Sequence, residues 1–255
     1  MKNIRLIIEY DGTNYSGWQT QENAVAIQEK IVEAIKSVTG EDVRLIGSGR
    51  TDGGVHALGQ VANFHTNSTI PADKFCFTLN NVLPEDIKII KSDEVDLNFH
   101  SRFDAMRKRY RYVIYNEKMP SPIHRNFSFH FKYDLDVDKM LEASKFLIGT
   151  HDFASFKVRK SVVKSTIRTI YDINIKRKGY FIEIIFEGNS FLRYMVRIIV
   201  GTLVEIGNGK RPVSDMKKIM DSKNRDEAGL TVPPQGLFLE KVFYPDDLGG
   251  DKFPL

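Results

Sequence analysis

The chain has 255 residues, 42% hydrophobic and 27% charged, with a net charge of +4 and one cysteine. That length supports one large domain or two modest ones with a buried core, and the composition excludes disordered, collagenous and disulfide-scaffold classes. A lone thiol, Cys76, cannot form an internal disulfide and suits a reducing compartment, where it reads as a small core residue.

In chain order, Asn3 to Tyr10 reads as a strand. Its apolar run Leu6 to Ile8 is bounded by Arg5 and Glu9 and is too short for a secretory segment, so the expected location is cytoplasmic. A polar loop, Asp11 to Gln19, carries Gly12, Gly17 and the only tryptophan, Trp18. The spacing of Ile27, Ile31, Ile35 and Val38 predicts a helix from Ala24 to Val38, ended by Gly40. Val43, Leu45 and Ile46, and then Val61, Ala62 and Phe64, predict strands on either side of a glycine-rich loop.

Pro71 opens a predicted helix through Asn81, and Ile87 to Val95 is a further strand. Arg109 to Tyr115 alternates, with Tyr110, Tyr112 and Ile114 on one face. Asp136 is an expected N-cap for a helix to Ile148, with Met140, Leu141, Ser144 and Leu147 facing inward. Ile167 to Lys176 and Tyr180 to Glu187 form a predicted hairpin across Lys178-Gly179. A long helix is expected from Ser190 to Ile206. It is too interrupted by Arg193, Arg197 and Glu205 to span a membrane. A short helix near Ser214 to Asp221 and a strand from Gly236 to Phe243 follow.

This order predicts an α+β fold, with two similar halves sharing a mixed or antiparallel sheet covered by helices and a basic cleft between them. The expected divisions are 1–105, carrying the glycine-rich loop, 106–245, and an acidic tail over 246–255.

The loop Gly49-Arg50-Thr51-Asp52-Gly53-Gly54-Val55-His56-Ala57-Leu58-Gly59 is the most informative segment. Asp-Gly alone is a turn signal. Arg50, two positions before Asp52, adds more, because a guanidinium favours the ionised carboxylate. An ionised acid at an open bend with room for a close approach is expected.

Charge is unevenly spread. Residues 101–111 hold five basic residues and one acid, and residues 157–178 hold eight and one. These tracts carry +4 and +7, leaving −7 for the rest of the chain. Local basicity on an acidic background suits a polyanion, bound with counterion release.

Other chemistries lack their residues. The six histidines and one cysteine show no metal-ligand spacing. Gly47-Ser48-Gly49 begins a dinucleotide fingerprint that Asp52 breaks, and Ser48 lacks a nucleophile elbow. A carboxylate without a metal can attack an electrophilic sugar carbon and form a covalent glycosyl intermediate. An aromatic ring would then stack on the extruded base, and Tyr110, beside a basic run, is the best candidate.

Six motifs resemble the TruA family of tRNA pseudouridine synthases. They are the Asp52 loop, Tyr10 to Gln19, Arg109 to Asn116, His151 to Phe156, Gly188 to Leu192 with Met195-Val196-Arg197, and Pro233-Pro234 with Gly236-Leu237. The resemblance covers nearly the whole chain. It implies isomerisation of uridine to pseudouridine at tRNA positions 38 to 40, with no cofactor or metal. It also implies a homodimer that tRNA spans, and no membrane association. By the same resemblance Asp52 is the nucleophile and Arg50 orients it. Tyr110 stacks on the uracil and assists proton transfer at C5, while Arg197 approaches Asp52 from the second half. Whether attack falls on the sugar or the base ring stays open. Gly53 stands where the family usually has Ala, and Arg193-Tyr194 where it often has histidines.

Two rival readings are a non-catalytic RNA-binding protein with Tyr110 as a stacking platform, and a phosphatase using Asp11-Gly12-Thr13. Against the first stands a carboxylate set close to RNA phosphate. Against the second, Glu9 occupies the place of the attacking Asp.

Overall fold

The computed structural model describes residues 1–159 and 163–248. The chain divides into two compact units, one formed by 1–107 with 239–255 and the other by 108–238. It re-enters the first unit within its last strand.

In the first unit the strands are β1 (Lys2–Tyr10), β2 (Ile46–Gly47), β3 (His56–Thr66), β4 (Ile87–Val95) and β10 (Leu237–Phe243). They lie in the order β4-β1-β3-β10, with β2 beside β3. β1 runs antiparallel to both β3 and β4. The helices are α1 (Ile27–Thr39) and the short α2 (Phe75–Asn80). Ile4, Leu6 and Ile8 of β1, Ile27, Ile31 and Ile35 of α1, and Phe64 and Phe75 are buried in this core. Each contributes roughly 1.5–3 kcal/mol by leaving water. Gly40 ends α1 in the left-handed region at φ 74°, as expected.

The second unit contains β5 (Arg107–Tyr115, from its second residue), β6 (Phe129–His130), β7 (Gly149–Asp152), β8 (Ile167–Lys178) and β9 (Phe181–Gly188). Their order is β5-β9-β8-β7, with β6 parallel to β5. The helices are α3 (Val137–Ser144), α4 (Met195–Gly207) and α5 (Asp215–Ser222). The Asp136 carboxylate accepts from Lys139 N at 3.0 Å, which is the cap its sequence position predicts. α4 is buried on nearly every side, which is why its sequence is apolar all round.

The α+β class expected from the element order is the class observed, with mixed strand pairing. Several boundaries differ. The long helix begins at Met195, because Tyr194 takes the left-handed conformation, φ 64°, and breaks the helical path before it. Arg193 therefore precedes the helix and shares no face with Arg197. On α3, Ala143 takes the inward position expected of Leu141, which is half-exposed. Cys76 is half-exposed, with Sγ 3.2 Å from Asp73 O, and is not a core residue. The end of the acidic tail, residues 249–255, lies outside the described residues. Among the described residues no helix is long and apolar enough to cross a membrane.

Candidate functional site

In the first unit, Asp52 sits where two loops run against each other. Gly17 and Asp52 form an isolated antiparallel bridge, and Trp18 N donates to Thr51 O at 3.1 Å. Beyond the bridge, Val55 N donates to Asp52 O at 3.1 Å and closes a turn, with Gly54 left-handed at φ 75°. Asp52 is half-buried.

The tryptophan loop is itself fixed. Ile27 N and Gln28 N, at the start of α1, donate to Gly17 O and Trp18 O at 3.1 and 3.0 Å. Amides that a helix start leaves without partners thus hold the loop. Tyr15 Oη donates to Asp86 at 2.6 Å on its other side. Trp18 is 2% exposed, a core residue.

A buried polar cluster supports the other loop. Tyr10 Oη lies 2.7 Å from Thr51 Oγ1. Ser48 Oγ donates to Gln60 Oε1 at 2.6 Å, and Gln60 Nε2 donates to Gly49 O at 2.9 Å. Burial pushes the Tyr10 phenol well above its ordinary range, only partly offset by bonds to Thr51 and Gln60. It is a neutral hydroxyl at any working pH. The sequence reading passed over these positioning residues. Their one signal is a glutamine between Gly59 and Val61 in the middle of β3.

His56 is buried and caps the tryptophan loop. The Gly12 amide lies 3.0 Å from its Nδ1, and the Asp11 carboxylate lies 3.1 Å from the same nitrogen. Asp11 also accepts from Thr13 N at 2.9 Å, so it acts within its own turn.

Arg50 is exposed, and its Nε donates to Gln19 Oε1 at 3.0 Å. The bridge explains this: with Gly17 opposite Asp52, the antiparallel register sets Gln19 opposite Arg50.

In the second unit, Tyr110 faces Phe186 on β9 and is 9% exposed. Its ring meets Phe191 edge-on at 5.2 Å and 80°, so most of its surface is packed. Two residues on, Tyr112 is fully buried, and its hydroxyl donates to Pro233 O at 2.8 Å. Burial raises the Tyr112 phenol well above its ordinary range, against the opposing charge of Arg197.

Arg197, in the first turn of α4, donates from Nε to Val232 O at 2.8 Å. Val232 N returns a bond to Arg197 O at 3.3 Å. Its guanidinium lies 4.7 Å over the Tyr194 ring, and that of Arg193 lies 5.0 Å from the same ring. The left-handed Tyr194 thus places an aromatic surface beneath a cation.

The basic tracts are partly neutralised within the unit. Arg109 Nη2 is 2.6 Å from Glu187 Oε1, and Lys178 Nζ is 2.6 Å from Glu183 Oε2. Arg177 is bonded to Asn116 and Leu135 O, and Arg159 pairs with Asp226. Lys160 lies outside the described residues. Among the described residues, no group of three or more His, Cys, Asp or Glu side chains could hold a metal ion.

A family model described as tRNA pseudouridine synthase matches residues 6–104 and 143–245. Among curated proteins, tRNA pseudouridine synthase A of Thermoanaerobacter sp. (strain X514) is 52% identical over 244 residues, 96% of this chain and 100% of the relative. Its namesake in Acetivibrio thermocellus is 50% identical over 244 residues, with the same coverage. The tRNA pseudouridine synthase A 2 of Clostridium tetani is 53% identical over 245 residues, 95% of this chain and 99% of the relative.

Proposed function

Since the chain belongs to the tRNA pseudouridine synthase family, we propose that it isomerises uridine to pseudouridine at positions 38, 39 and 40 of the tRNA anticodon stem-loop, with Asp52 as nucleophile. The observation that carries this is the setting of Asp52: a half-buried carboxylate on a bridged loop whose flanks are pinned by buried hydroxyl and amide groups. Holding a reacting group in one geometry lowers the barrier by removing orientational freedom.

In the net reaction the N1–C1′ bond of uridine breaks and a C5–C1′ bond forms. C5 gives up its proton and N1 ends protonated. Asp52 forms a transient covalent bond to the nucleotide, which splits one difficult step into two. Tyr110 stacks on the extruded uracil and assists proton transfer at C5. The Arg197 guanidinium, held by Val232 O and Tyr194, acts with Asp52 in the reaction. Arg50 orients the loop through Gln19. The enzyme acts as a cytoplasmic homodimer without metal or cofactor.

The test is Asp52→Asn with tritium release from tRNA labelled at uridine C5. Turnover is expected to vanish while tRNA affinity changes by less than about tenfold, or ~1.4 kcal/mol. Sustained release from that variant would overturn the nucleophile assignment, whereas tRNA binding without any release by the wild-type protein would favour non-catalytic RNA binding.

A further inference from the structure

Phe103 stands on a loop that is otherwise tightly built. Asn3, fully buried, donates to Asp96 O and Phe99 O at 2.9 and 3.0 Å. Asn63, equally buried, accepts from Ser101 N at 2.9 Å, and Tyr244 Oη donates to Ser101 O at 2.6 Å. Asp104 accepts from His100 N at 2.8 Å, which closes the turn that carries Phe103. The loop is therefore a fixed platform within the first unit. Yet its apical ring is 75% exposed. The His100 ring backs it at 4.3 Å and 31°, and the Arg102 guanidinium lies 5.8 Å from its centroid.

Satisfied buried polar groups hold this backbone, so the ring's exposure is not the result of a loose loop. A rigid, exposed aromatic with a guanidinium at its side matches one ligand chemistry well. Every unpaired nucleobase has a π-face to stack on a phenyl ring, and the phosphate next to it accepts from a guanidinium. A preformed platform also loses little conformational entropy on binding.

We infer that Phe103 and Arg102 form a stacking subsite for an unpaired base of the bound tRNA and its phosphate. This rests on the tRNA reading above, but not on Asp52 or any other residue of the reaction. The subsite adds affinity and leaves the chemical step alone.

The test measures binding of an unmodified tRNA transcript to the full chain and three variants. Phe103→Ala should weaken binding about tenfold with unchanged thermal stability, because the ring is exposed. Phe103→Trp should keep wild-type affinity, and its fluorescence should be quenched by tRNA; Trp18, the only native tryptophan, is buried and gives a constant background. Arg102→Gln should lower the slope of log affinity against log salt by about one.

Wild-type binding by Phe103→Ala, or an unquenched Phe103→Trp, would overturn the inference alone. A shift of oligomeric state in Phe103→Ala would overturn it by assigning the ring to a contact between copies. Failure of the wild-type protein to bind tRNA would overturn this inference and the proposed function together, whereas turnover by Asp52→Asn would leave it standing.

Discussion

The phenol of Tyr10, at the last position of β1, lies 2.7 Å from the hydroxyl of Thr51, the residue before Asp52. Both side chains are buried. The end of a core strand is thereby tied to the loop that carries the acid. Tyr10→Phe leaves the Thr51 hydroxyl short of a partner at a cost of about 1–2 kcal/mol. For a chain of this size that lowers Tm by about 2–4 °C per kcal/mol. Thermal unfolding checks this. Turnover should fall several-fold with little change in KM, since the loop and not the binding surface is loosened.

Glycines 17 and 53 should respond oppositely to alanine. Gly17 has φ +111°, and an added Cβ would stand 2.5 Å from Thr51 O, inside the bridge to Asp52. Gly17→Ala should cost more than about 2 kcal/mol and abolish activity. At Gly53 the φ is ordinary and an added Cβ would meet Ser16 backbone at 3.4 Å, a normal contact. Gly53→Ala should be neutral or stabilise by about 0.4–1 kcal/mol, with activity retained. Denaturant midpoints and tritium release distinguish the two.

Arg197→Lys keeps the positive charge but loses the planar fork that bonds Val232 O while lying over Tyr194. Turnover should fall at least about tenfold while tRNA affinity stays within about threefold. Single-turnover kinetics reads the first quantity and gel shift the second. Equal rates for the two proteins would remove Arg197 from the reaction.

Arg5 and Asp93 make a bidentate pair, Nε to Oδ1 at 2.9 Å and Nη2 to Oδ2 at 2.6 Å. Burial alone would raise the Asp93 carboxyl, but the bond and charge of Arg5 outweigh it and leave the group below its ordinary range. A depressed carboxyl stabilises the fold above its unfolded value, about pH 3.9. That contribution is lost as pH falls through the folded value. Asp93→Asn should therefore be less stable than wild type near neutrality, with the gap closing in acid. Tm measured from about pH 7 down to about pH 3 would show the two curves converging; parallel curves would count against the pair.

The sequence by itself determined most of the local structure. Ile27, Ile31 and Ile35 set α1, Gly40 stopped it, Asp136 capped α3, and the alternation of Tyr110, Tyr112 and Ile114 oriented β5. Each signal acts within a turn or two of chain, where propensity and periodicity are strong. It also marked Asp52 as the acid to watch, through its glycines. Tertiary structure decided what surrounds that acid. The register between the 17–19 and 50–52 segments gave Arg50 to Gln19. Gln60, Ser48 and Tyr10 became supports of the loop only once β1 and β3 lay side by side. Tyr194, left-handed, broke the helix that its neighbours would have extended, and its ring meets the guanidinium groups of Arg193 and Arg197. These outcomes depend on residues far apart in the chain, and no local pattern encodes which partner a polar side chain meets after the strands have paired.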